Sequence, residues 1–322
     1  MSDLPKSVRI NEEGPREGFQ IESAAIPTAR KIELIEALAE TGLAHIQAVS
    51  FVDPRRVPGW ADDDAVVEGL RPRAGVAYSA LWLNERGLER ALGHRGKLTV
   101  KGSISMVASE TFMQRNQNRD FAENRVVQAR QIELCRAQGV PVERLSVMAA
   151  FGCNFEGDVP VAKVLEVIAS GLELAAEHDV TIRNLALADT MAWATPLHVK
   201  RLVGAVRERW PEPRITLHLH DTRGLGIADA YACLEMGVDR FDASVAGLGG
   251  CPFAGHKGAA GNVCTEDLVF MCEEMGIATG VDLERLIEVA RLAEEIVGHP
   301  LPGAVMHGGS LARFRAAKIA RV

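Results

Sequence analysis

The chain has six cysteines but no CxxC pair, and nowhere does it approach the ~20 uninterrupted apolar residues that a membrane-spanning helix needs. Scattered cysteines read as reduced thiols, which excludes a disulfide framework and a thiolate zinc site. The first fourteen residues, MSDLPKSVRINEEG, lack the apolar segment of a secretory leader, so a soluble, cytoplasmic protein with no membrane partner is expected. Clustered positive charge is also missing. A net charge of −7 and a pI near 5.8 argue against a nucleic-acid partner, because neutralising phosphates takes a cationic face. Small basic patches such as RPR at 71–73 are left to meet an anionic small molecule. No GxGxxG follows the first apolar run, which weakens a doubly wound dinucleotide-binding sheet. No low-complexity tract or Pro/Gly/Ser-rich linker divides the chain, so its 322 residues are expected to form one domain.

What is present is a repeat of short β-branched runs followed by longer amphipathic stretches. The runs lie at 8–12, 45–51, 75–81, 98–105, 144–152, 184–190, 215–220 and 240–247. Helical patterns follow near 27–41, 61–70, 84–93, 119–138, 160–178, 196–209 and 225–236, with one more after 263. Strands that alternate with helices predict a parallel sheet, since parallel neighbours need a crossover. Eight such units predict a (β/α)8 TIM barrel over about 8–275, with the reactive groups at the carboxyl ends of its strands. The segment from about 276 to 322 is expected to be a helical appendage covering one barrel end.

Five of the eight strand ends carry polar groups. In ITLHLHDT, strand alternation points His218 and His220 to one face and Leu217 and Leu219 to the other. An HxH on one strand face suits a shared metal ion, although two hydrogen-bonded core histidines would give the same pattern. The first strand ends in Glu12, Glu13, Arg16 and Glu17, the sixth in Asp189-Thr190, and an Asn lies beyond the eighth. Imidazoles, a carboxylate and an amide oxygen suit a divalent ion such as Mg²⁺, Mn²⁺ or Co²⁺. GLGGCPFAGHKGAAG (247–261) is rich in glycine and holds one Cys, which reads as a mobile lid carrying a thiol or as a plain flexible loop. Trp82 and Trp193 follow strands and either shape a pocket or simply pack.

The ordered set GPREGFQ, SFVDPRRVP, ASETF, FGCNFEG, ADT, HLHDTRG and VAGLGGCPFA…GN resembles the 3-hydroxy-3-methylglutaryl-CoA (HMG-CoA) lyase family of the DRE-TIM metallolyases. The similarity spans roughly residues 8–298. The resemblance implies divalent-metal-dependent cleavage of a 3-hydroxy-3-substituted acyl-CoA thioester into an acyl-CoA and a keto acid. It implies Glu17, His218, His220 and Asn262 as ligands to Mg²⁺ or Mn²⁺, and Arg16, Cys251, His218 and Asp189 as catalytic groups. Gln47, Glu12 and Gln20 would face the substrate, Glu12 also supporting Arg16, and a homodimer is implied as well.

The chain departs from that pattern at three places. Glu17 replaces the family's Asp, Gln47 replaces its Glu, and the loop from Cys251 to Asn262 is two residues longer than usual and includes His256 and Lys257. A retuned substrate pocket accounts for these changes, as would an inactive paralogue. The other readings are a Claisen-type synthase of the same superfamily and a metal-free binding protein.

Overall fold

The computed structural model describes residues 4–249, 261–312 and 314–315. Eight parallel strands form the sheet: β1 (Arg9–Glu12), β2 (His45–Phe51), β3 (Ala77–Trp82), β4 (Gly102–Val107), β5 (Val142–Met148), β6 (Asn184–Ala188), β7 (Arg214–His218) and β8 (Arg240–Ala243). Their spatial order is β3-β2-β1-β8-β7-β6-β5-β4, so the chain runs round a TIM barrel as expected. No ladder joins the two ends of this order. There the backbone N–H of Thr99 donates to the Tyr78 carbonyl at 2.7 Å. This seam explains why β4 starts at Gly102 although an extended run was expected from 98: residues 98–101 have no ladder partner to hold them.

The helices are α1 (Gly14–Ile21), α2 (Thr28–Ala39), α3 (Asp63–Gly69), α4 (Glu85–Gly93), α5 (Glu110–Gln117), α6 (Phe121–Ala137), α7 (Val161–Glu177), α8 (Pro196–Arg209), α9 (Gly226–Glu235), α10 (Thr265–Glu274), α11 (Leu283–Val297) and α12 (Ala304–Gly308). Residues 283–297, expected within an appendage over one barrel end, form α11, which packs against α2, α10 and the turn Val245–Gly247. Ahead of it, Ala278 pairs with the backbone of Lys6 and Val8 beneath β1. No helix among the described residues is long and apolar enough to cross a membrane.

The apolar core lies between sheet and helices. Ile10, Ile46, Tyr78, Leu145, Leu185, Leu217 and Phe241 point outward from the strands and are buried. Alternate positions face the lumen, and there the side chains are polar and bond to one another. Asn11 donates to Asp242 (2.8 Å), Thr216 to Asn184 (2.9 Å) and Arg144 to Asp242 (2.6 Å), while Ser79 and His45 lie 2.9 Å apart. Most TIM-barrel lumens are filled by bulky branched aliphatic side chains. This one is a polar well beneath the strand tips.

Candidate metal centre and active site

The stretch NEEGPREGFQ was expected to end a strand, and it does so by starting a helix. Pro15 sits in the first turn of α1, where a fixed φ helps and a missing N–H costs nothing, and the Glu17 N–H donates back to the Glu13 carbonyl at 2.9 Å. Neighbours hold α1 in place. Trp60 Nε1 donates to the Arg16 carbonyl (2.9 Å), Trp60 packs edge-on to Phe19, and a Cβ on Gly59 would lie 1.9 Å from the Phe19 carbonyl oxygen. Arg16 and Glu17 are thereby fixed at the lumen mouth. Gln20, one turn after Arg16, is half-buried on the same face of α1.

Four groups converge here. Glu17, His218 and His220 each offer a ligand atom within 4.8 Å of the others. The His218 and His220 rings stand 5.1 Å apart and almost perpendicular. His218 ends β7, whereas His220 lies just beyond it in a bridge with Asn262. The Asn262 amide donates to Glu17 Oε2 at 2.5 Å and to Ser244 Oγ at 2.8 Å.

The donor atoms fit a cation. His220 Nδ1 faces the Asp189 carbonyl oxygen at 2.8 Å, which places the ring proton on Nδ1 and leaves Nε2 with a lone pair. That Nε2 is buried with no hydrogen-bond partner, as is Asn262 Oδ1. Two orphaned acceptors beside a carboxylate and a second imidazole make a mixed nitrogen and oxygen set that a divalent ion would satisfy.

The charges follow from that crowding. Burial resists ionisation of Glu17, but Arg16, His218 and His220 outweigh it and hold the carboxyl at about 2. Burial opposes the cationic form of His218, yet Glu17 and its other carboxylate neighbours raise it to about 9. His220 is pushed down to about 4 by burial and by His218. Burial raises Asp189 to about 6; its Oδ1 accepts from Trp193 N (2.7 Å) and Ala194 N (3.1 Å), and its Oδ2 is buried and unpartnered.

Arg16 is gripped on three sides. It donates through Nε to Gln47 Oε1 and pairs with Glu13 Oε2 at 2.5 Å and Glu17 Oε1 at 2.7 Å. A second cluster of possible ligands, Glu13, His218 and Asp242, lies just below. Its two carboxylates are each held by a guanidinium group, Glu13 by Arg16 and Asp242 by Arg144 at 2.6 Å, and Asp242 also accepts from the Asn11 amide at 2.8 Å.

Glu12 needs a correction. Expected to face the substrate and support Arg16, it is wholly buried and occupied elsewhere. Its Oε1 accepts from Gly14 N (2.8 Å) and Val245 N (2.9 Å), and its Oε2 accepts from Thr265 Oγ1 (2.6 Å). Glu12 therefore straps β1 to the turn after β8. The hydrogen-bonding contact expected between Glu12 and Arg16 is supplied instead by Glu13, Glu17 and Gln47.

Cys251, His256 and Lys257 lie outside the described residues. Trp82 packs into the core, and Trp193 donates through Nε1 to Asn154 at 2.7 Å. The RPR patch precedes β3, at the opposite barrel end, with Arg71 paired to Glu36. Sequence reasoning missed Asp242, Arg144, Ser244 and Trp60. Strand alternation in RLSVM and RFDA carried a signal for the first two, since it sends Arg144 and Asp242 to the lumen.

Residues 7–293 match the family described as HMGL-like. The chain is 39% identical over 298 residues to hydroxymethylglutaryl-CoA lyase YngG of Bacillus subtilis (strain 168), covering 92% of this chain and 96% of that protein. It is 41% identical over 289 residues to the mitochondrial hydroxymethylglutaryl-CoA lyase of Mus musculus, covering 89% and 85%. Among solved structures, the Bacillus subtilis HMG-CoA lyase superposes with a TM-score of 0.85 at 38% identity, covering 94% of this chain and 98% of that one. An HMG-CoA lyase from Acinetobacter baumannii in complex with coenzyme A and 3-methylmalate gives 0.84 at 37% identity, covering 95% and 96%.

Proposed function

We infer the function from one premise: the chain belongs to the HMGL-like family. It is a metal-dependent carbon–carbon lyase that cleaves HMG-CoA, or a relative with another 3-substituent, into acetyl-CoA and a keto acid. The observation that carries this reading is the convergence of Glu17, His218, His220 and Asn262, with two buried acceptor atoms left unsatisfied.

Those four residues would hold the ion, and their mixed donors favour Mg²⁺ or Mn²⁺. When bound, a divalent ion acts as a Lewis acid and lowers the pKa of the substrate's 3-hydroxyl. Asp189, with a free Oδ2 and a carboxyl held near 6, accepts the hydroxyl proton. As the oxygen's electrons close the ketone, the C2–C3 bond breaks and its pair moves into the thioester as an enolate. Arg16 meets the negative charge on the enolate oxygen, fixed in place beforehand by Glu13, Glu17 and Gln47. Cys251 returns a proton to the enolate carbon, releasing the acyl-CoA. Gln20, one turn along α1, faces the substrate with Arg16.

Gln47 and Glu17 support a retuned pocket. A carboxylate at 47 would make a third acid around one guanidinium, whereas the amide oxygen accepts from Nε and adds no charge. A homodimer is proposed on the resemblance alone, and sedimentation equilibrium tests it. The function is tested by incubating the Mn²⁺-loaded protein with a panel of 3-hydroxy-3-substituted acyl-CoA thioesters. Release of acetyl-CoA from at least one is expected, and none from any would refute the assignment.

A further inference from the structure

Asn11, Asp242 and His218 form one register row across three neighbouring strands, β1, β8 and β7. In a parallel ladder such residues project to the same side, so the backbone itself sets Asp242 between the other two. Asp242 is buried. Its Oδ1 accepts from the Asn11 amide at 2.8 Å, and its Oδ2 accepts from Arg144 Nη2 at 2.6 Å and lies 3.6 Å from His218 Nδ1. Arg144 reaches it across the lumen from β5, three strands away in the sheet.

The opposite nitrogen of His218 faces the candidate ion position, with Nε2 at 3.8 Å from Glu17 Oε1. The two sides of the ring therefore see different partners. Nδ1 faces two carboxylate oxygens, Asp242 Oδ2 and Glu13 Oε2, each at 3.6 Å. A neutral imidazole in that setting keeps its proton on Nδ1 and presents the Nε2 lone pair to the site. Glu13 precedes a helix and is committed to Arg16, whereas Asp242 is pinned by two ladders and a guanidinium.

We propose that Asp242, clamped by Arg144 and Asn11, is a positioning residue that fixes the ring and tautomer of His218, and so sets how tightly the centre binds its divalent ion. The proposal rests on the reading of Glu17, His218, His220 and Asn262 as ligands. It makes the two histidines unequal: His220 is oriented by a neutral backbone carbonyl and His218 by a buried carboxylate.

The test is Mn²⁺ affinity, measured by calorimetry on metal-stripped protein, with no turnover required. Asp242→Asn keeps the shape and removes the charge. Because it strands Arg144, a second variant pairs Asp242→Leu with Arg144→Met, removing both charges together, a replacement that is often neutral for stability. In both variants Mn²⁺ binding is expected to weaken about 10–100-fold, the usual cost of losing an outer partner of a ligating histidine. The visible spectrum of the Co²⁺-loaded protein should shift, while the paired variant keeps its melting temperature. A folded paired variant that binds Mn²⁺ within about threefold of the parent overturns the inference, even if it melts earlier, because the salt bridge would then serve the fold alone. Failure of the parent protein to bind Mn²⁺ would remove both this inference and the ligand assignment. Strong parental binding with unaffected variants removes this inference only.

Discussion

Replacing Glu12 separates a strap from a substrate contact. Its carboxylate takes three hydrogen bonds, from Gly14 N, Val245 N and Thr265 Oγ1, at zero exposure. Glu12→Ala leaves two backbone N–H groups buried without acceptors, at ~1–3 kcal/mol each, so a loss of about 4 kcal/mol is expected in urea denaturation. Because Val245 follows Ser244, whose Oγ accepts from Asn262, the same variant should also weaken Mn²⁺ binding. Glu12→Gln should cost less than about 1 kcal/mol. Burial already raises this carboxyl to about 7, the glutamine oxygen can still accept from both N–H groups, and the Thr265 hydroxyl can turn to accept from the new amide. Stability curves for both variants, with KM and kcat for the acyl-CoA, decide the matter. A Glu12→Gln protein of unchanged stability whose KM rises tenfold would place Glu12 against the substrate and refute the strap.

Three further outcomes follow from the same geometry. Gly59→Ala drives a Cβ to 1.9 Å from the Phe19 carbonyl oxygen, a backbone atom that cannot swing aside, so about 3 kcal/mol should be lost with α1 displaced; a variant as stable as the parent would contradict the packing. Glu266 is buried, and burial raises its carboxyl to about 8 against 4.5 for the free group. Between those values the native state holds the proton and the unfolded state does not, so stability falls as pH rises through that window, at about 1.4 kcal/mol per pKa unit. Glu266→Gln should flatten that fall and gain relative stability from pH 5 to pH 8, and parallel pH profiles for the two proteins would refute the shift. Cys251→Ala should keep Mn²⁺ affinity while turnover drops sharply, and full turnover would exclude the thiol as the proton donor.

The barrel was legible because its signal is local and repeated eight times. Most of the expected helices lie within two residues of those observed, since Pro27, Gly42, Pro160 and Pro196 mark the ends by their own backbone chemistry. Strand ends were less legible. NLALADT, ITLHLH and RFDASVAG were each expected to run on, but the strands stop at Ala188, His218 and Ala243, and the polar residues beyond them turn into the site. Helix α1 was hidden because GPREGFQ is dense with charge and glycine. Its helicity rests on Pro15 in the first turn and on Trp60 and Gly59, about forty residues away.

The polar lumen shows why the ligands could be read from sequence and their supports could not. In a parallel sheet covered on both faces, strands should be nearly continuous in apolar residues. Here GSISMV, RLSVM and RITLH alternate, as a sheet does when one face is wet. Closing such a sheet turns the wet face inward, so alternation within a β/α repeat is itself a prediction of a polar interior. The HxH pair declares itself because its members stand two residues apart. Arg144 and Asp242 stand 98 residues apart on strands that are not neighbours, and nothing local joins them. Yet a bare carboxylate row beneath two imidazoles would repel substrate anions and compete for the ion. Pairing Glu13 with Arg16 and Asp242 with Arg144 cancels that charge in place, leaving Glu17, His218, His220 and Asn262 to face the cation.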